Sequence, residues 1–397
     1  MTKKILIFSL AYYPNFVSGA EAAIKEITDR IDPKDIEFHL VTLLFDRTAQ
    51  RKERIGNVTV YRVGWGGEYL SKILFVPLAA MKARALHQKE KFDAVWSMMT
   101  YMLFPAVIAR AIGVSAPRVL TLQDGDPYEK VFERLVFRLL APLLDYGFRT
   151  TQMVQVISSY LATWPPRRGY TGPIELIYNG ANPKNLAEDF SVEEANAAKE
   201  RLLKKPGDVY LLNASRLVYQ KANDDTLRAL QYLPENVHLV LIGEGEDRGM
   251  LEKLARELNV KERVHFLGQM DRSQVPNYRN RIFADVYVTP SRSEGLQLSS
   301  LSAMAGRLPL IATQAGGLVD YVWDAKHNPD KPETAWVVDP DSPEQIAEAV
   351  KDIIANPEKV ERITQTARQM VLEKYNWDMI GKQMQERVFM SVLKEAP

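Results

Sequence analysis

At 397 residues the chain exceeds what one hydrophobic core usually serves, so two domains of roughly 150 to 200 residues each are expected. Apolar and charged fractions of 46% and 25% are those of a soluble globular protein; the absence of cysteine excludes a disulfide framework and fits a reducing compartment, and no stretch approaches the roughly 20 uninterrupted apolar residues of a membrane-spanning helix. Net charge is only +1 and nucleic acid is not expected as a partner, yet residues 1–186 carry 24 Lys and Arg against 17 Asp and Glu, while the remainder carries 27 against 33. The basic first half suits an anionic lipid surface or an anionic acceptor, or is simply a solvated face.

The chain opens with Lys3 and Lys4 before an apolar run, Ile5 to Ala11, that is too short for a signal peptide and ends in Tyr12, Tyr13 and Pro14. A first buried strand and a cytoplasmic protein are expected. Further strands are predicted at Glu37–Leu44, Val58–Val63, Ala94–Ser97, Arg118–Leu122 and Met153–Ile157, with helices between several of them, most plainly Met98–Ile112 and Lys130–Gly147. This alternation predicts βαβ units and a parallel sheet. Gly19 enters a helix after the first strand, where doubly wound folds receive a phosphate or substrate, although a turn glycine serving helix packing explains it equally.

Two segments suit either a membrane surface or the core. Tyr69–Met81 is apolar and followed by Lys82, Arg84, Lys89 and Lys91. Lys130–Leu144 mixes apolar residues with Arg134 and Arg138, offset by Glu129 and Glu133, and burial is preferred there. Between them, Gln123, Asp124 and Asp126 follow the Thr121–Leu122 strand end. The aspartates stand like a metal-binding pair but lack further ligands nearby, leaving an Asp-Gly turn or a role in a cleft.

Ile174–Asn182 reads as the last strand of the first domain and a sharp turn, with the hinge placed near Pro183. The second half starts a new α/β set in which strands lead into loops carrying Arg216 and Lys221, Gly243, and Gln269. Arg and Lys a few residues apart suit a diphosphate, or form a solvated basic turn. Residues 343–397 read as two or three helices, the last opening at Trp377 and able to cross back onto the first domain.

The chain is organised around Thr289–Gly317, TPSRSEGLQLSSLSAMAGRLPLIATQAGG. An apolar strand leads into a turn at Ser293, Glu294 and Gly295, and a helix begins near Leu298. Such a junction combines a carboxylate for sugar hydroxyls with helix-start amides for phosphate. The alternative is that Glu294 merely caps a helix on a solvated loop.

The ordered set SGAE, TLQDGD, IYNGAN, ASRLVYQK, LIGEGE, FLGQM and SRSEGLQLSSLSAMAGRLPLIATQAGG resembles the retaining glycosyltransferases of family 4, over nearly the whole chain. The resemblance implies the α/β GT-B fold, two Rossmann-like doubly wound parallel-sheet domains facing across a cleft. They would be an acceptor domain over residues 1–183, with helix 377–397 packing back on it, and a nucleotide-sugar domain over 184–376. It implies that Arg216 and Lys221 hold the donor diphosphate, that Glu294 contacts hydroxyls of the transferred sugar, and that amides of Leu296, Gln297 and Leu298 hold phosphate and sugar, with Gly295 and Ser299 in the same cradle. Gly243, Gln269 and Met270 would face the base, Gly19 would sit where the acceptor domain closes on the donor, and Gln123, Asp124 and Asp126 are candidates for the acceptor side.

Two positions depart from the family pattern. The second glutamate of the Glu-x7-Glu motif, expected on ribose, is Ser302, and the histidine commonly found after the Thr-Leu strand is Gln123. A serine in place of a carboxylate weakens ribose binding by about 1 to 3 kcal/mol unless a neighbour compensates. The expected activity is sugar transfer from a nucleotide-diphosphate sugar to a glycan or lipid-linked acceptor in envelope or exopolysaccharide synthesis, without cofactor or metal, at most peripherally on an anionic membrane. A catalytically silent GT-B binding or regulatory protein is the alternative, and an epimerase or phosphorylase ranks below both.

Overall fold

A computed structural model of the chain describes residues 2–14, 18–66 and 69–394. The chain divides into two compact units, residues 1–179 with 377–397, and residues 180–376.

The first unit is built on eight strands: β1 (Lys3–Phe8), β2 (Ile36–Leu43), β3 (Lys52–Ile55), β4 (Val58–Val63), β5 (Ala94–Met98), β6 (Arg118–Leu122), β7 (Met153–Val156) and β8 (Ile174–Leu176). They run in the order β3-β4-β2-β1-β5-β6-β7-β8, parallel throughout except for the antiparallel β3–β4 hairpin. Side chains alternate across a strand, so β1 feeds two cores. Ile5 and Ile7 pack with Ile24, Phe38 and Trp96, and with Trp377, Met384 and Phe389 from the carboxyl-terminal helices. Leu6 and Phe8 pack on the other face with Val41, Phe75, Ala79 and Ala106. The chain's last helices thus belong to the first unit, with the Phe389 ring 5.0 Å from Trp96 and 5.7 Å from Phe38.

Three local features depart from expectation. β3 is a short edge strand whose KERI sequence alternates exposed and half-buried positions, so it lacks an apolar run to announce it. The single helix expected over Lys130–Gly147 is instead three short ones, Tyr128–Phe132, Leu135–Leu139 and Ala141–Arg149. Pro142 sits in the first turn of the third, where its missing N–H is tolerated, and its ring disfavours a helix continuing into it from the residues before. Residues 180–183, expected in the first domain, belong to the second unit. There the Asn182 amide bonds Ser302 Oγ at 2.9 Å and the Ala181 amide bonds the Tyr375 carbonyl at 2.9 Å.

The second unit is a six-stranded sheet of β9 (Val209–Ala214), β10 (Val237–Ile242), β11 (Val264–Gly268), β12 (Val286–Thr289), β13 (Leu310–Ala312) and β14 (Trp336–Val337), ordered β11-β10-β9-β12-β13-β14. Every pairing is parallel, so all carboxyl ends share one edge. In an open α/β sheet that edge is where ligands bind. Helices Pro343–Ala355 and Pro357–Lys374 close one face of the sheet through Ile346, Val350, Val360 and Ile363.

Candidate functional site

At the carboxyl edge of the second unit the loops are tied to each other by backbone bonds. The Ser215 amide bonds the Ile242 carbonyl, the Leu217 amide bonds Glu244, the Gly243 amide bonds Gly268, and the Arg292 amide bonds Gln220 at 2.8 Å. The loops after β9, β10, β11 and β12 therefore form one assembly. Gly243 has φ +137°, and a Cβ there would lie 2.0 Å from the Ser215 carbonyl oxygen; at Gly245 it would lie 2.1 Å from that of Leu217. Only glycine permits so close an approach. Gln269 is exposed and Met270 half-buried just past β11 on the same edge.

Lys221 lies in a single 3-10 turn, Tyr219–Lys221, and its Nζ is 2.5 Å from Glu294 Oε1. The same carboxylate oxygen accepts the Ser291 hydroxyl at 2.8 Å. Arg216 is exposed on the adjoining loop, and among the described residues its guanidinium forms no ion pair. One free cation, one cation held only by a carboxylate, and that carboxylate are thus gathered around a single turn.

Beyond Glu294, Gly295 and Leu296 are buried and the helix Leu298–Ala305 begins. Gln297 occupies the N-cap position, but its side-chain amide donates to Thr289 Oγ1 at 2.7 Å and does not cap the helix. The amides of Leu298, Ser299 and Ser300 start the helix without a side-chain cap, and the positive end of the helix dipole lies beside Glu294. Behind the turn, the Gly317 amide donates to the Glu294 carbonyl at 2.9 Å, and a Cβ on Gly316 (φ +59°) would lie 2.0 Å from that oxygen. The Thr313 hydroxyl bonds the Ser291 carbonyl at 2.6 Å.

Ser302 is one full turn into the same helix and buried. Its hydroxyl donates to the Leu298 carbonyl at 2.6 Å and accepts the Asn182 amide at 2.9 Å. A hydroxyl has one proton and two lone pairs, so only one lone pair remains for any ligand.

In the first unit, Ser18 caps the helix Gly19–Thr28, and its amide and hydroxyl both donate to the buried Glu21 carboxylate, at 2.7 and 2.5 Å. Gly19 is exposed at the helix start, while residues 15–17 of the preceding loop lie outside the described residues. At the end of β6, Gln123 Oε1 accepts from Asn179 at 2.9 Å, and its Nε2 is buried without a hydrogen-bond partner. Asp124 is enclosed, and burial pushes its carboxyl up to about 6, against two donors from Thr100, the hydroxyl at 3.0 Å and the amide at 3.4 Å. Asp126 pairs with Lys130 and Arg134, both at 3.0 Å, on the surface. Among the described residues no three His, Asp or Glu side chains come together to hold a metal ion.

The residues missed from sequence are those that hold the others. Ser291, Arg292 and Gly316 flank Glu294 in the chain or in space; Ser291 donates to Glu294 three residues on, whereas the carboxylate partners of Arg292 lie 49 to 68 residues away and carry no local pattern.

Residues 194–370 match the family described as Glycosyl transferases group 1, and residues 17–185 match Glycosyltransferase Family 4. A glycosyltransferase of Methanocaldococcus jannaschii is 32% identical over 409 aligned positions, covering 96% of each chain. The chain belongs to glycosyltransferase family 4. Another family relative is the GDP-mannose-dependent alpha-(1-6)-phosphatidylinositol monomannoside mannosyltransferase of Mycobacterium tuberculosis, 27% identical over 321 residues and 78% of each chain. Among solved structures, sucrose-phosphate synthase from Thermosynechococcus elongatus superposes with a TM-score of 0.82 over 99% of both chains at 20% identity. Anabaena HepE, solved with UDP and glucose, does so at 0.77 over 97% of this chain and 99% of its own at 19% identity. At such identities the likeness establishes the GT-B fold for this family 4 enzyme.

Proposed function

We propose that this glycosyltransferase moves a sugar from a nucleoside-diphosphate sugar, with retention of anomeric configuration, to a glycan or lipid-linked acceptor of the cell envelope or an exopolysaccharide. The observation that carries the reading is the Lys221–Glu294 pair beside the uncapped start of helix Leu298–Ala305. Relatives named as GDP-mannose-dependent or solved with UDP and glucose support a nucleotide-sugar donor.

In this reading Lys221 and Arg216 meet the diphosphate with the helix amides, and Glu294 accepts hydrogen bonds from hydroxyls of the transferred sugar. The bond from the anomeric carbon to the diphosphate breaks, and the acceptor oxygen bonds that carbon on the same face. The acceptor's proton passes to the departing phosphate, so no side-chain nucleophile is needed. Charge developing on the leaving group falls to Arg216, Lys221 and the helix dipole, making the reaction metal-independent; activity unchanged in excess EDTA is the expected result. Gln123 Nε2, a buried donor without a hydrogen-bond partner at the end of β6, is assigned to the acceptor side.

Support for a membrane contact comes from the first unit's surface. No helix among the described residues is long and apolar enough to cross a membrane. Helix Tyr69–Glu90 exposes Ile73, Leu74 and Met81, with Trp65 exposed beside it. Lys52 and Lys82 approach the Tyr61 ring, at 5.5 and 5.1 Å from its centroid, and line, with Arg51 and Trp65, a concavity of about 490 Å³. An apolar stripe flanked by cations fits an anionic bilayer surface.

The experiment is a panel of UDP, GDP and ADP sugars with the full chain, following binding by calorimetry and donor hydrolysis or transfer by NMR. One donor should bind with a sub-millimolar Kd and be turned over, with retained configuration in the transfer product. Binding without turnover would favour a silent GT-B protein, and an inverted product would overturn the retaining assignment.

A further inference from the structure

Between Ser291 and Glu294 sits an arginine whose hydrogen-bonding capacity is fully used. Arg292 Nη1 donates to the Tyr219 carbonyl at 3.0 Å and to Asp224 Oδ1 at 2.9 Å. Its Nη2 donates to Asp224 Oδ2 at 3.1 Å and to Asp225 Oδ2 at 2.9 Å, and its Nε donates to Asp341 Oδ1 at 2.7 Å. All five N–H groups of the guanidinium are satisfied. The group is also 4.5 Å from the Tyr219 ring centroid, and its side chain is only 12% exposed.

These bonds converge on the short turn that carries Lys221. The Arg292 amide holds Gln220, its guanidinium holds Tyr219, and Asp224 and Asp225 lie in the first turn of the helix that follows Lys221. Lysine is a point charge on a flexible four-carbon stem, so its aim depends on how its backbone is fixed. Here the turn bearing the lysine is fastened to the loop bearing Glu294 by one residue, through its amide and its guanidinium. A lysine at 292 would keep the charge but not a planar fork able to bridge two carboxylates and a carbonyl together.

Resting on the donor site proposed above, we infer that Arg292 is a positioning residue that acts through Lys221, fixing its ammonium for the donor diphosphate. The role is distinct from support of the fold in general. A residue acting through another loses its effect when that other is removed, whereas two independent contributions add.

The test is a double-mutant cycle on the full chain, comparing wild type, Arg292→Lys, Lys221→Ala and the double variant. UDP, GDP and ADP are titrated calorimetrically in parallel, and thermal melts are recorded alongside. With the nucleoside diphosphate that wild type binds, Arg292→Lys should raise Kd about tenfold, and in the Lys221→Ala background by less than about twofold. Binding of the matching nucleoside monophosphate should be far less affected. Equal losses in both backgrounds would overturn the inference and leave Arg292 a structural residue. If Lys221→Ala itself left diphosphate affinity unchanged, or wild type bound none of the three, the donor-site reading would fail first. Should Arg292→Lys not fold, Asp225→Asn removes one arm of the same fork, and the same non-additivity with Lys221→Ala is required of it.

Discussion

Lys221 and Glu294 face each other at 2.5 Å in a nearly enclosed position, their side chains 14% and 6% exposed. Taking one charge away there leaves the other buried without its counterion, which costs more than losing a surface pair. On the proposed function the two part on donor binding, the lysine to phosphate and the carboxylate to sugar hydroxyls.

Lys221→Ala and Glu294→Ala are each expected to lower turnover by about two orders of magnitude or more. Each should also cost about 3 kcal/mol of stability, while the double variant costs less than the sum, because no uncompensated charge remains. Steady-state kinetics and denaturant melts of the three proteins check both effects, and wild-type turnover in either single variant would remove the pair from the site.

Gly316→Ala should weaken donor binding without touching a ligand. The new methyl meets the Glu294 carbonyl oxygen at 2.0 Å in a left-handed conformation, so the 316–317 loop must move and Gly317 loses its bond to that carbonyl. A loss of at least ~1 kcal/mol of stability accompanies the change in donor Kd. Gly249→Ala, where nothing lies within 4 Å of the added carbon, is the control and should be neutral or stabilising.

Asp124 makes stability depend on pH. Burial raises its folded-state pKa to about 6 from 3.8, so the native state holds its proton more tightly than the unfolded chain. Its contribution is greatest below the unfolded value and is lost as pH rises through about 6, a difference of order 3 kcal/mol. Asp124→Asn, which keeps an acceptor for Thr100 without a charge, should flatten that part of the Tm profile between pH 4 and 7. An unchanged profile would place the titrating group elsewhere.

Trp65→Ala with Met81→Ser, or Lys52→Ala with Lys82→Ala, should reduce co-flotation with vesicles containing phosphatidylglycerol, the second pair in a salt-dependent way. Wild-type protein that remains in the soluble fraction would refute the membrane contact.

Most strands of the two sheets were legible because they are apolar runs, as with the KKILIF of β1, while β13 and β14, three and two residues long, are too short to give such a run. The charged KERI edge strand was not, and neither was the division of 128–149 into three helices, since apolar residues keep helical spacing across the breaks. Glu294 and Lys221 could be named from residue type and loop position, but their pairing could not, because 73 residues separate them. Arg292 gave no signal at all, with its carboxylate partners 68, 67 and 49 residues away. Ser302 read as a weakened ribose contact. In the folded chain its hydroxyl anchors the amide of Asn182, 120 residues distant, so Ser302→Ala is expected to cost about 1 to 3 kcal/mol of stability through an unsatisfied buried amide.

The most direct measurement is the affinity of wild type and Lys221→Ala for UDP-, GDP- and ADP-sugars by calorimetry. The donor-site assignment requires sub-millimolar binding of one donor by wild type and a loss of at least about tenfold in the variant. Equal affinity in the two proteins, or no binding of any donor to wild type, would contradict it.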